Sequence, residues 1–270
     1  MPSLERRQIT GFSNPTIKRL KSLREKKHRK REGHFLAEGL RILTEALDAG
    51  KTPKLLVVVE DSELHPLAQK IEQATFDAGG EVIETSEAII AKLSGKSNPQ
   101  SIIGIYEDHP TRLTDLDRSE APIWLVAQAL RDPGNLGTIL RTGDAVGAGG
   151  LILIDDCVDP FSVEAVRASM GAIFTQKIAQ ASWPEFTEWL RSDTGQLVGT
   201  SLNTDQDYQA VQYDAPTFLL IGNEAQGLPQ EYEAACDVLV KMPMMGKADS
   251  LNAAVASAVM AYEVLNQRRK

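Results

Sequence analysis

Between Gly33 and Gly50 the apolar residues Phe35, Leu36, Leu40, Leu43 and Leu47 fall at the spacing of one helical face, and Gly50 supplies a stop. That pattern predicts a single helix with one buried side. Leu55–Val59 is a continuous β-branched run and reads as a strand, residues 64–78 suit a helix, and 81–84 and 101–106 read as two further strands. Strand and helix alternate, so the first part is expected to be a small α/β unit. Residues 107–120 then hold Pro110, three Asp and two Glu without apolar periodicity, the composition of a connection. The reading divides the chain into 1–110, a linker at 111–120, and 121–270.

The second part repeats the alternation. Strands at 123–129, 151–154, near Phe174, and at 197–202, 217–222 and 238–241 are separated by helices at 135–146, 161–171 and 184–191 and by a short helix before the last strand. A long helix at about 250–266 closes the chain. Runs this short and uniformly apolar fit parallel strands covered on both faces, so the expected fold class is α/β, a small α/β unit followed by a mostly parallel-sheet α/β unit. In open sheets of this kind ligands sit beyond the carboxyl ends of the strands, and the residues just after each strand become the candidates.

With 270 residues, 42% apolar and 24% charged, the chain has material for two folded units and is neither disordered nor fibrous. No apolar run approaches the roughly 20 residues that span a bilayer, and the opening MPSLERRQIT has charges where a signal peptide needs an apolar stretch, so no membrane partner and a cytoplasmic location are expected. Cys157 and Cys236 stand far apart, which excludes a disulfide framework and a zinc site of the usual spacing; no metal is expected. The net charge of −8 conceals an asymmetry: residues 1–50 hold twelve Lys and Arg against six acids, while the remainder is strongly acidic. Lys18, Arg19, Lys21, Arg24, Lys26, Lys27, Arg29, Lys30 and Arg31 share their stretch with one acid, Glu25. A solvated helix face normally alternates the two signs, and this one does not. These nine residues are therefore candidate nucleic-acid contacts, with the solvated face as the other reading.

Three strand ends carry chemistry. After the strand at 123–129, Pro133 and Gly134 make a turn and Asn135 suits a helix cap, while Arg141 is a cation on an otherwise small, apolar helix; it is either one half of a structural salt bridge or a grip for a phosphate. After the strand at 217–222, Gly222 and Gly227 bracket Asn223 and Glu224, either as a tight turn or as a ligand loop that brings a carboxylate to the sheet edge. After the last strand come Met242, Pro243, Met244, Met245 and Gly246, then Ser250 and Asn252 at a helix start. Ser250 alone reads as a helix cap, and the methionines as core filling or a ligand wall. The small residues of the final helix permit close approach of a second helix or another subunit. Absences matter equally: His28, His34, His65 and His109 all precede the second unit, so no Ser-His-Asp or Cys-His site can be built within it, and neither GxxxxGK[ST] nor a GxGxxG after a strand occurs.

Taken together, NLGTILR (135–141), IGNEAQGL (221–228) and MPMMGKADSLN (242–252) resemble, in order and spacing, the three motifs of the SpoU, or TrmH, family of RNA ribose 2′-O-methyltransferases. NPTIKRLKSLREKKHRKREGHFLAEGLR and the later SNPQSIIGI resemble the substrate-binding domain that precedes many of these enzymes, so nearly the whole chain is covered. Met242 stands where the family often has Ile, and Ala253 where Val is common. The resemblance implies a carboxyl-terminal trefoil knot holding S-adenosylmethionine, and a homodimer packed through the knotted domain. It implies cofactor contacts at Gly222, Met242 and Leu251, with Asn223, Gly227 and Met244 around them and Thr200 and Ser201 nearby. It makes Arg141 the catalytic residue, with Asn135, Glu224, Ser250 and Asn252 completing the site. The partner implied is RNA, and ribosomal RNA over transfer RNA because of the extra amino-terminal domain.

Those residue types suit the chemistry. A sulfonium methyl group needs no electrophilic activation, so the protein must align a ribose hydroxyl and help remove its proton. An arginine is a poor base but a good bidentate phosphate grip. Two other classes stay open at this point: a non-catalytic RNA-binding assembly factor on the same fold, which would be free to lose Arg141, Asn135 or Glu224, and an enzyme using another adenine-containing cofactor, which leaves the basic stretch unexplained. On this reading, removing residues 1–110 spares cofactor binding and weakens RNA binding in a salt-dependent way.

Overall fold

The computed structural model describes residues 5–60, 65–223 and 225–269, and contacts among them group the chain into two units. One unit runs to Asp108 and also takes in Asp159–Thr175; the other comprises His109–Val158 and the chain from Gln176 onward.

The first unit contains β1 (Arg7–Gln8), α1 (Pro15–Ser22), α2 (Lys26–Glu32), β2 (His34–Glu38), α3 (Leu40–Asp48), β3 (Leu55–Val59), α4 (Pro66–Asp77), β4 (Glu81–Thr85), α5 (Glu87–Ser94) and β5 (Ile102–Glu107). The strand order is β1-β4-β3-β5-β2, with β5 antiparallel to both neighbours and the other pairings parallel. Asn14 starts α1 by accepting from the Thr16 amide at 2.8 Å, Pro15 follows at the first helical position, and Ile17, Leu20 and Leu23 face the core against Ile89, Ile90 and Leu93. The helix expected across 35–47 is instead a strand followed by a helix. Phe35, Leu36 and Ala37 are all buried in β2, which pairs with β5, and Gly39 turns the chain at φ 103 before α3 begins. Two strand residues happened to fall in phase with the helical face behind them.

The second unit contains β6 (Ile123–Gln128), α6 (Pro133–Val146) and β7 (Gly150–Ile154). The chain then contributes α7 (Val163–Ser169) to the first unit and returns as β8 (Lys177–Ala181), α8 (Trp183–Arg191), β9 (Gln196–Thr200), β10 (Thr217–Ile221), α9 (Gln230–Ala235), β11 (Val238–Val240) and α10 (Ala253–Arg268). The six strands are parallel in the order β11-β9-β10-β6-β7-β8. Every residue of β6, β7 and β10 is buried, as strands covered on both faces require. Trp124, Phe186 and Phe218 centre the core between this sheet and α8.

Three local expectations change. Phe174 lies in a 3-10 turn, Ala172–Phe174, and the strand begins only at Lys177. The stretch 111–120 is not a solvated linker: Leu113, Leu116 and Arg118 are buried, and Arg118 donates to the carbonyls of Leu190 and Thr194 at 2.9 and 3.1 Å while lying over the Trp189 ring. Asp159–Thr175 completes the first unit through two ion pairs. Arg167 donates to Glu38, which also accepts from Ser94 and the Gln100 amide, and Asp159 accepts from Arg29.

Candidate active site

The carboxyl ends of β9, β10 and β11 open onto a cavity of about 320 Å³. Its walls come from two of the three segments singled out in the sequence, with Gly222, Asn223 and Gly227 after β10 and Met242, Met244, Ser250 and Leu251 between β11 and α10, and from Thr200 and Ser201 at the end of β9; the segment 135–141 contributes no wall. Leu202, Asn203, Ala225, Gln226, Glu233 and the apolar side chains Ile221, Leu228 and Val240 complete it, with Ala253 and Ala256 at the start of α10.

The loop after β10 is held by one side chain. Asn223 accepts from the amides of Ala225 and Gln226 at 3.0 and 3.3 Å, its carbonyl accepts from Gly227, and its Nδ2 donates to the Ala129 carbonyl at 2.9 Å beyond β6. A β-carbon on Gly222 would stand 2.5 Å from the Gly227 carbonyl carbon, so only glycine admits this closure; Gly227 itself sits at φ 69. Opposite, Ser201 and Asn203 both donate to the Glu233 carboxylate, Asn203 at 3.1 and 3.2 Å. The short helix carrying Glu233 is pinned by Tyr232, whose ring stacks on Trp183 with 3.8 Å between centroids and whose hydroxyl donates to Asp155 at 2.7 Å. Glu233 and Asn203 were missed in the sequence because the two lie thirty residues apart and neither belongs to a motif.

Beside the cavity, the amino ends of α6 and α10 are tied together. Asp132, not Asn135, caps α6 by accepting from the Asn135 amide at 2.7 Å, with Pro133 following at the first helical position. Asn252, not Ser250, caps α10, accepting from Ala254 and Val255 at 2.9 and 3.3 Å. Asn252 then donates from Nδ2 to Asn135 Oδ1 at 2.8 Å. Small side chains allow the two helices to pack: Gly137 of α6 and Ala253, Ala254, Ser257 and Ala261 of α10 are all buried. The close approach expected of the alanine-rich helix is thus made within this chain.

Arg141 lies further along α6, about 9 Å along the axis from Asn135. It is exposed, does not line the cavity, and has no ion-pair partner among the described residues, so no salt bridge to a described residue accounts for it. Glu224 lies outside the described residues. Both thiols are pushed up by burial, Cys157 to about 11 and Cys236, beside Asp237 and Glu233, to about 12, so neither is a thiolate nucleophile near neutrality. Among the described residues no group of His, Cys, Asp and Glu could hold a metal ion, and no helix is long and apolar enough to cross a membrane.

The basic stretch is distributed over α1, α2 and the turn between them. Lys18, Arg19, Lys21, Arg24, Lys26, Lys27, Lys30 and Arg31 are exposed, with Arg19 and Arg31 both paired to Glu32. Arg29 is the correction: it is only 4% exposed, its guanidinium held by Asp159 at 2.6 Å and by the Leu23 carbonyl, so it is a structural residue of the first unit.

Comparison with known proteins gives this geometry its context. Residues 122–262 match the SpoU rRNA methylase family, and residues 14–104 match an MRM3-like substrate-binding domain. The chain is 27% identical to the 23S rRNA (guanosine(2553)-2′-O)-methyltransferase RlmP of Bacillus subtilis (strain 168), over 96% of this chain and 99% of that protein. It is 31% identical to the 23S rRNA (uridine(2479)-2′-O)-methyltransferase of Streptomyces viridochromogenes, over 89% and 85%. The crystal structure of an AdoMet-bound rRNA methyltransferase from Sinorhizobium meliloti superposes with a TM-score of 0.89 at 38% identity, covering 97% of this chain and 98% of that one. With half its length matching the family and both units shared with full-length relatives, the chain belongs to the SpoU rRNA methylase family.

Proposed function

We propose that this protein methylates a ribose 2′-hydroxyl of ribosomal RNA with S-adenosylmethionine as methyl donor. The observation that carries the proposal is a cavity assembled from two of the three motif segments and the end of β9, next to two helix amino ends where Asn135 of the remaining motif segment is bridged to Asn252. Ribosomal RNA is favoured over transfer RNA because the two relatives above act on 23S rRNA and align with both units of this chain.

The cavity residues fit the cofactor. Its volume lies within the roughly 300–1,000 Å³ of small-molecule sites. Ile221, Val240, Met242 and Leu251 offer apolar surface to a flat base, Ser201, Asn203 and Glu233 offer polar groups to ribose hydroxyls, and Gly222 keeps the wall open. When bound, the cofactor supplies an electrophilic methyl group on a sulfonium. Arg141 grips the phosphate beside the target ribose through paired N–H donors, orienting the hydroxyl and stabilising negative charge that develops on its oxygen. Asn135 and Asn252 hold the site's two helix ends in register, and Ser250 and Glu224 complete it on the motif side.

The reading includes a homodimer packed through this unit, supported by Val255 and Tyr262, two turns apart on α10 and both exposed, and by an Arg141 that stands outside its own chain's cavity. It also includes the carboxyl-terminal knot, supported by a chain that leaves the sheet edge at β11 and returns over β10 to pack α10 on α6. The reading also includes a cytoplasmic location, supported by the ribosomal RNA on which the relatives act.

The test is incubation with methyl-labelled S-adenosylmethionine and RNA from cells lacking the gene, followed by alkaline digestion. Label in dinucleotides is expected, because a 2′-O-methyl group blocks cleavage of the adjacent phosphodiester. Label in mononucleotides means base methylation and overturns the mechanism. No label, with cofactor binding verified and both naked RNA and ribosomal particles tried, overturns the catalytic reading. In the same assay Arg141→Lys is expected to lose most turnover; near-full turnover refutes the bidentate grip.

A further inference from the structure

Phe12 is 46% exposed, in a loop whose residues 10–13 are all exposed, directly before the Asn14 cap of α1. A lone apolar side chain at a surface is ordinary and needs no explanation by itself. Its surroundings are not ordinary. The Lys92 ammonium lies 4.7 Å from the centre of the Phe12 ring. Lys92 lies in the last turn of α5, Gly95 ends that helix in the left-handed conformation, and the Arg24 guanidinium lies over Gly95, with exposed Lys96 next in the chain. Phe12 therefore stands beside Lys92, with Arg24 packed on the same helix end and Lys96 following it in the chain.

Lys92, Arg24 and Lys96 have no ion-pair partner among the described residues, whereas Arg19 and Arg31 are held by Glu32 and Arg29 by Asp159. An exposed aromatic face beside such cations meets both demands of an unpaired nucleotide, a surface for the base and countercharge for its phosphates. A paired helix keeps its base faces stacked inside and uses the charge alone.

We propose that Phe12 is a stacking platform for an unpaired base of the RNA substrate, steadied by Lys92, with Arg24 and Lys96 drawing in the adjoining phosphates. The site extends the reading of the first unit as the RNA-binding part and rests on it. It gives that unit a means to recognise a loop or bulge, which charge alone does not provide.

The test uses the full-length protein and two RNAs of equal charge: a hairpin whose unpaired loop carries 2-aminopurine, and a fully paired duplex. Wild type is expected to bind the hairpin more tightly and to change the 2-aminopurine fluorescence. Phe12→Ala is expected to lose roughly five- to a hundredfold in hairpin affinity with duplex affinity unchanged. Phe12→Leu, which keeps the apolar volume and guards against a folding defect, should lose nearly as much, and Phe12→Trp should retain hairpin binding. Wild-type affinity in the folded Ala and Leu variants, or equal losses on hairpin and duplex, overturns the stacking site while leaving the RNA-binding reading intact. A wild-type protein that binds neither RNA overturns that reading and the site with it.

Discussion

Asn252 performs two tasks, and substitution separates them. Its Oδ1 caps α10 by accepting from two amides, and its Nδ2 donates across to Asn135. Serine caps as well as asparagine but is too short to reach Asn135, whereas alanine does neither. The exposed bridge is worth about 0.5–1 kcal/mol and the cap about 1 kcal/mol. Asn252→Ser should therefore cost about 0.5–1 kcal/mol and Asn252→Ala about 1.5–2 kcal/mol. A chain of two units does not guarantee one cooperative transition, so the readout is native-state hydrogen exchange of the α10 amides. Exchange should quicken roughly two- to fivefold in the serine variant and roughly ten- to thirtyfold in the alanine variant. Asn135→Ala should couple to both Asn252 substitutions by the worth of the bridge, since each removes it, and turnover should fall equally in both Asn252 variants because the bridge aligns the helix ends. Strict additivity of the two alanine substitutions, or identical exchange in the serine and alanine variants, would refute the division of labour.

Gly222→Ala should weaken S-adenosylmethionine binding roughly five- to a hundredfold by calorimetry, since the new methyl group would press on the backbone of Gly227 and Leu228 and overpacking of this kind costs about 1–3 kcal/mol; unchanged affinity would show that the loop yields. Burial alone would raise the Glu38 carboxyl, but hydrogen bonds from the Gln100 amide, Arg167 and Ser94 outweigh it and hold the group below its usual range. Its stabilising contribution is therefore complete above the ordinary carboxylate range and is lost as pH falls through the lowered value. Glu38→Gln should destabilise the first unit by about 2–3 kcal/mol at neutral pH, a figure discounted for the part-exposed Arg167, and the gap to wild type should close in acid when urea unfolding is followed at both pH values. Replacing Lys26, Lys27 and Lys30 by Gln should flatten the salt dependence of RNA binding by about two in slope, whereas Arg29→Gln should lower the unfolding midpoint and leave that slope nearly unchanged.

Much of the fold could be read in the sequence because strands buried on both faces spell themselves as apolar runs, as in β3, β6, β7 and β10. The strand β2 could not, since Phe35 and Leu36 fit the helical period of α3 as well as they fit a ladder with β5. The residues expected around the cofactor gather at one cavity because all but Leu251, which precedes α10, follow or close a strand, which local pattern can signal. Arg29 was indistinguishable from its neighbours because its partner, Asp159, lies 130 residues away, and Asn252 displaced Ser250 as the cap because the helix starts at Ala253, two residues later than a cap at Ser250 requires. The packing of Asp159–Thr175 with the first unit also makes removal of residues 1–110 an unsuitable test of division of labour, since it strips Phe161 and Val163 of their cover. Point substitutions on α2 avoid that damage.

The same segment orders events during synthesis. Chains emerge from the amino end, and a domain normally locks as soon as its residues are out. Here the five strands of the first unit are complete at Glu107, yet two of its charges, Glu38 and Arg29, face the interior until Arg167 and Asp159 arrive. A buried charge without its partner costs about 3–5 kcal/mol. The nascent first unit is therefore expected to finish its packing around Glu38 and Arg29 only after β6, α6 and β7 are translated and the chain through Thr175 has left the ribosome. Two modules that look consecutive along the sequence must therefore finish folding in an interleaved order.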